Sequence, residues 1–250
     1  MKSVEVLFTP AEFNSLAGRN LSEAVCAVFD ILRATSSMVT ALASGAAAIV
    51  PVLEISDALA FRDKQPDVLL AGERNGRRIQ RDLTGSIDFD LGNSPREFTR
   101  QKVQGKTIVM TTTNGTRALR ACAGAQAVFV GSFLNMRALS AAILAVGPEN
   151  LLVVCSGTHE EAAYEDTLAA GALCDLLWGG FAAGRIADSV HIARDVFLRA
   201  QRDLVTVMRH SRNAQRLLAI SELAEDVPYC LAQDTQTIVP TFQFDGNVRV

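Results

Sequence analysis

The sequence lacks most of the groups that announce a metal, redox or nucleic-acid protein. It has no Cys-x-x-Cys pair and no Cys/His cluster, and its five cysteines (Cys26, Cys122, Cys155, Cys174 and Cys230) are scattered. This argues against a disulfide framework and against zinc, and the cysteines read as small buried hydrophobes. There are three histidines. His191 and His210 fall in amphipathic stretches and read as surface or packing residues, whereas His159 is a loop residue available for acid–base work. No apolar run reaches the ~18 uncharged residues of a membrane helix. The opening "MKSVEVLFTPAEF" lacks the apolar core of a signal peptide, so the chain reads as soluble and cytoplasmic, without a membrane partner. Beyond "ERNGRRIQR" there is no Lys/Arg-rich run, and the net charge is -3. A nucleic-acid partner is therefore not expected, because such binding rests mostly on phosphate neutralisation.

What is present is apolar and periodic. The 250 residues are 49% hydrophobic, enough for a large core. Short β-branched runs recur at 3–9, 24–30, 46–52, 67–72, 106–112, 125–132 and 150–157. Several are apolar on both faces, as central strands covered by helices are. Alanine-rich stretches with helical spacing separate them, at 35–45, 56–64, 94–102, 116–123, 135–146 and 161–178. The alternation predicts an α/β fold, with a mostly parallel or mixed sheet sandwiched by helices. From about residue 185 the pattern turns helical to about 220, and the chain closes on a short helix and a terminal strand. No Gly/Ser- or Pro-rich linker divides the chain. One domain over 1–250, or two tightly packed lobes, is expected. Similar lobes are suggested by an echo: "VFDILRATSSMVTALASGAAAIVPV" and "VMTTTNGTRALRACAGAQAVFVGS" share a strand, polar loop, alanine-rich helix and strand. The amphipathic 185–220 stretch suits either a cover for the sheet or a homodimer contact.

In open α/β sheets ligands bind beyond the carboxyl ends of the strands, and there the loops are polar. In "FDILRATSS", Asp30 closes an apolar strand, where a carboxylate must be paired or hold a metal. Arg33 is its candidate partner, and Thr35 and Ser36 are candidate helix caps. "AGERNGRRI" offers Glu73, Arg74 and the turn Asn75-Gly76. In "LGNSPREF", Asn93 or Ser94 precedes Pro95 as a helix start. In "MTTTNGT", Asn114-Gly115 alone would signal a hairpin, but a helix-like run follows. The stretch reads instead as a strand-to-helix anion cradle. Thr113, Asn114 and Thr116 supply donors, and Gly115 gives a ligand room. No Gly-Lys-Ser/Thr follows, so it is not a Walker loop. "YEDTLAAG" places Glu165 and Asp166 in a first helical turn, suited to the dipole or to a hard cation such as Mg²⁺. The loops together suggest a metal-assisted site for a small phosphorylated acid. A non-catalytic binder of a small polyanion remains the alternative.

The ordered series "FDILRATSS", "GERNG", "GNSP", "TTTNGT" and "YEDTLAAG", with the closing "DVPYCLAQDTQTIVP", resembles the 2-phosphosulfolactate phosphatases, Mg²⁺-dependent enzymes associated with coenzyme M biosynthesis. Ser36-Ser37 stands where that family often has threonines. The resemblance implies a phosphatase fold of its own and hydrolysis of (2R)-2-phospho-3-sulfolactate to 3-sulfolactate and phosphate. Another small phosphorylated sulfo- or carboxy-acid is the alternative substrate. Its motifs match at Asp30, Arg33, Thr35, Glu73, Arg74, Asn75, Asn93, Ser94, Thr113, Asn114, Thr116, Glu165 and Asp166. Of these, Asp30, Arg33, Glu73 and Asp166 are expected to be catalytic, and Asp166, Glu165 and Asp30 to be the Mg²⁺ ligands. Asp30 stands open as an aspartyl-phosphate nucleophile or as a partner of attacking water.

Overall fold

The apolar runs form the strands of one sheet in the computed structural model, which describes residues 1–181 and 184–250. The strands are β1 (Ser3–Leu7), β2 (Ala24–Phe29), β3 (Ala48–Pro51), β4 (Leu69–Arg74), β5 (Arg77–Arg78), β6 (Thr107–Thr111), β7 (Ala127–Gly131), β8 (Asn150–Cys155), β9 (Arg185–Ile186), β10 (Thr241–Phe242) and β11 (Val248–Arg249). They lie in the order β5-β4-β6-β3-β11-β10-β7-β2-β8-β1-β9. Two blocks are internally parallel. One is β4-β6-β3 and the other is β7-β2-β8-β1-β9. The antiparallel β10–β11 hairpin joins β7 to β3 and so stitches the blocks together. Three antiparallel steps separate β7 from β3, so the two blocks run in opposite directions.

Period-two alternation sorts each strand between layers. Along β2, Val25, Ala27 and Phe29 enter one core and Cys26 and Val28 another. The first core takes the helices Met136–Val146, Tyr164–Leu176 and Asp188–Ala200. The second takes residues of both blocks, among them Val28 of β2, Ile49 of β3, Met110 of β6 and Val130 of β7, with the helices Ala34–Ala43 and Gly115–Ala121 between them. The opposite faces of β3, β4 and β6 (Val50, Leu70, Val109) close on the helix Ile55–Lys64. Every residue from Ala34 to Leu42 is buried. A helix buried on all sides must satisfy its polar groups, and Ser36, Ser37 and Thr40 donate to the carbonyls of Ile31, Asn93 and Ser36. The paired helices are the product of the two echoing segments.

Two predicted helices change. The stretch 94–102 splits into the 3-10 turn Pro95–Glu97 and the short helix Arg100–Val103, because Phe98 turns into the core between them. The run from 185 begins as the edge strand β9, fixed by Arg185 N donating to the Lys2 carbonyl at 2.7 Å. A two-residue strand is too short to show a period. All five cysteines are buried and free. Burial pushes the Cys155 thiol well above its ordinary range, as a core residue requires. Among the described residues no helix is long and apolar enough to cross a membrane.

Candidate active site

The carboxyl ends of β2, β4, β6 and β8 open on one cavity of about 180 Å³, although the blocks run in opposite directions. Strand ends of both blocks thus meet at the starts of the two central helices. The space is smaller than the ~300 Å³ at which pockets for drug-sized ligands begin. Asp30, Arg33, Glu73, Arg74, Asn75, Asn93, Thr113, Asn114, Glu165 and Asp166 all line it. Thr35, Ser94, Gly115 and Thr116 stand behind that lining.

Asp30 ends β2 and faces the cavity with part of its surface. Its Oδ1 accepts from Ala34 N at 3.0 Å, so Asp30 itself does the capping expected of Thr35 and Ser36. Thr35 Oγ1 instead accepts from Asp30 N (2.9 Å) and donates to Asp30 O (3.0 Å), locking that backbone. Ser36 donates to the Ile31 carbonyl. Gly115 makes room for Asp30. A Cβ there would lie 2.7 Å from Asp30 Oδ2 and 2.6 Å from Ala34 Cβ, so the two central helices start against each other only because position 115 is bare. Thr116 turns back on its own loop, with Oγ1 donating to the Thr112 carbonyl at 3.2 Å.

Three further carboxylates knit the loops. Asp166 Oδ1 accepts from Ile31 N at 2.8 Å. Its Oδ2 accepts from Ser156 Oγ and Gly157 N, each at 3.1 Å. Glu73 Oε1 accepts from Thr113 N (3.0 Å) and Thr113 Oγ1 (2.9 Å), and Oε2 from Gly76 N (2.8 Å). Glu165 accepts from Ser211 Oγ and Asn213 Nδ2, both at 2.6 Å, and so holds the C-terminal helical part against the site. The exposed Glu160 and Glu161 pair with Arg117 and Arg212, outside the cavity.

The arginines differ in what they offer. Arg33, 3% exposed, pairs not with Asp30 but with Asp226 at 2.7 Å, and its Nη2 reaches the Gly76 carbonyl at 2.6 Å. Ser94, expected as a helix cap, donates to the other Asp226 oxygen at 2.6 Å. Arg74 rests on the Glu73 carbonyl (2.7 Å) and Thr111 Oγ1 (3.0 Å), and among the described residues no carboxylate bonds to it. Asn114 Nδ2 donates to the carbonyl of His159, which lines the cavity in a left-handed turn (φ 54°). Among the described residues, the buried amide oxygens of Asn93 and Asn114 find no partner. A buried orphan acceptor costs about 1–3 kcal/mol until a donor, water or cation meets it.

Sequence reading missed Asp226, Ser156, Asn213 and Arg216. Asp226 stands in the closing motif "DVPYC", which was the available signal. Asn213 and Arg216 lie in an amphipathic run with nothing to mark them.

The lining holds four carboxylates (Asp30, Glu73, Glu165 and Asp166) against three guanidiniums (Arg33, Arg74 and Arg216), one of them already paired. Burial is the main cause that raises the Asp30 carboxyl to about 6; the Glu73 and Glu165 charges add to it, and the Ala34 N–H and Ser156 oppose it. Burial, then the charges of Glu165 and Asp30, raises Asp166 well above the carboxylate range. Such a cluster fits a divalent cation by charge and by oxygen chemistry. Among the described residues no three His, Cys, Asp or Glu side chains converge as a ready-made metal cage. Mg²⁺ does not need one, since it keeps several waters and takes one or two carboxylates plus phosphate oxygens. Asp30 and Asp166 suit that role, with the orphan Asn114 oxygen as a neutral neighbour. Glu165 and Asp166 each accept hydrogen bonds on both oxygens, Glu165 from Ser211 and Asn213 and Asp166 from Ile31, Ser156 and Gly157, so an ion would use the lone pairs these bonds leave.

The family model described as 2-phosphosulpholactate phosphatase matches residues 12–244. A protein of Caldanaerobacter subterraneus subsp. tengcongensis named "Probable 2-phosphosulfolactate phosphatase" is 35% identical over 247 residues, covering 97% of each chain. One of the same name from Symbiobacterium thermophilum is 36% identical over 241 residues, covering 96% of each. A third, from Thermotoga petrophila, is 37% identical over 220 residues, covering 86% of this chain and 87% of its own.

Proposed function

The chain belongs to the 2-phosphosulfolactate phosphatase family, and from that premise we propose that it hydrolyses (2R)-2-phospho-3-sulfolactate to 3-sulfolactate and phosphate with Mg²⁺. The observation that carries the reading is the small carboxylate-rich cavity at the strand ends, whose buried acids oppose the binding of a polyanion unaided by a cation. Asp30 and Asp166 would hold the ion. When bound, Mg²⁺ supplies positive charge against the phosphate oxygens and the charge that develops on the ester oxygen.

The residues of the chain do the rest. Arg74 offers a forked donor to phosphate oxygens. Thr113 and Asn114 hold the loop against Glu73 and His159 so that their neighbouring groups face the substrate. Arg33 and Asp226 fix the Asn75-Gly76 turn through the Gly76 carbonyl and thereby the cavity wall. Asp30, as a carboxylate that helps to hold the ion, would also orient the attacking water. Phosphoryl transfer is governed by positioning and electrostatics, which is what these contacts provide.

A panel of phosphorylated hydroxy acids assayed with Mg²⁺ tests the substrate. Phosphosulfolactate is expected to have the highest kcat/KM. A better non-sulfonated acid would keep the chemistry and replace the substrate. Tight sulfolactate binding with no turnover of any ester would leave a binding protein.

A further inference from the structure

We infer that Arg216 is the specificity-determining cation of the cavity, receiving the sulfonate that the substrate carries beyond its phosphate ester. The inference rests on the proposed function and adds to it the residue that separates a sulfonated substrate from a plain phosphorylated hydroxy acid.

Arg216 lies in the helix Arg212–Leu218, outside every motif that carried the family resemblance. It reaches the cavity from the C-terminal part, not from a strand end. Its Nη2 donates to Asn213 Oδ1 at 2.7 Å. The amide nitrogen of Asn213 in turn donates to Glu165 Oε1 at 2.6 Å and Thr158 Oγ1 at 2.5 Å. A buried carboxylate therefore orients the amide, and the amide orients the guanidinium, while no carboxylate oxygen neutralises it directly among the described residues. A Cβ at Gly76 would lie 3.9 Å from Arg216 Nε, an ordinary contact distance, so the guanidinium lies beside the Asn75-Gly76 turn.

Depth assigns the ends of the substrate. Glu165 and Asp166 are buried at the floor beside Asp30, and Arg216 is exposed at the mouth. The phosphorus must lie at the carboxylate floor, where the chemistry is. The carboxylate of the substrate sits on the carbon that bears the phosphate ester, and therefore beside it. The sulfonate is one carbon further out and meets the mouth. Three sulfonate oxygens suit a planar fork with free donors. Arg33 cannot take this part, since Asp226 occupies it. Arg74, anchored on the Glu73 carbonyl and Thr111, lies with the strand ends.

The test compares Arg216→Gln and Arg216→Lys with the wild type on 2-phosphosulfolactate and on 2-phospholactate, which lacks the sulfonate. Calorimetric binding of 3-sulfolactate and of lactate is measured alongside. The ratio of kcat/KM for the sulfonated over the plain ester is expected to fall about ten- to hundred-fold in Arg216→Gln, the scale of a lost charge-assisted contact. The loss should appear in KM and in sulfolactate affinity, with partial recovery in Arg216→Lys. An unchanged ratio, or equal weakening of both ligands, would overturn the inference. If the wild type hydrolyses neither ester yet loses its preference for sulfolactate over lactate in Arg216→Gln, the functional reading fails and the assignment of Arg216 stands. Arg216 is exposed, so equal melting temperatures are expected and separate recognition from folding.

Discussion

Asp30 concentrates the tension of the site in one side chain. It caps the central helix, faces the cavity and sits among acids, and burial raises its carboxyl to about 6. The folded state then binds more protons than the unfolded chain between about pH 4 and 6. Stability therefore falls as pH rises through that window, and the cost of ionising Asp30 is complete above it. Asp30→Asn keeps an oxygen for the Ala34 N–H and removes the charge. In EDTA at pH 8 the variant is expected to be more stable by on the order of 2 kcal/mol, or roughly 4–8 °C in melting temperature, with the gain fading towards pH 4. Turnover should be lost. A melting scan at the two pH values checks this, and an Asp30→Asn protein less stable than wild type at pH 8 would contradict it. Asp30 was legible because a carboxylate closing an apolar strand asks for an explanation. Its partner was not: Arg33, three residues on, pairs instead with Asp226, 193 residues away in sequence.

At the scale of elements, the loops at the strand ends were easier to find than the contacts that bind them. The runs at 24–30, 106–112 and 150–157 mark strands because each is apolar on both faces. "MTTTNGT" ends a strand and starts the helix Gly115–Ala121, as the following alanine-rich run implies. The two-residue strands β5, β9, β10 and β11 carry no periodic signal. They exist because neighbouring backbone offers them partners. Glu165 shows the same limit. Two adjacent acids in a first helical turn suggest metal ligation, but give no hint that both Glu165 oxygens also accept from Ser211 and Asn213, 46 and 48 residues later. Glu165→Ala leaves two buried donors unmatched, a loss of about 1–3 kcal/mol. Hydrogen exchange in 204–218 is expected to quicken more than in β2 or β8. Uniform exchange throughout the chain would show that Glu165 does not hold this segment.

For the molecule as a whole, two parallel blocks of opposite direction meet around two buried helices, and the C-terminal hairpin closes the sheet between them. The sequence echo between 28–52 and 109–132 foreshadowed this pairing, but the hairpin that makes one sheet of it lies more than a hundred residues further on. The arrangement brings strand ends from both blocks to one small cavity, where buried acids outnumber the cations that face them. Such a cavity is poor at holding a phosphorylated acid until a divalent ion joins it. Phosphate release from 2-phosphosulfolactate by chelator-stripped protein, before and after Mg²⁺ is restored, tests this most directly. The account predicts negligible release without the ion and full turnover on its return. Undiminished release in excess EDTA would contradict it.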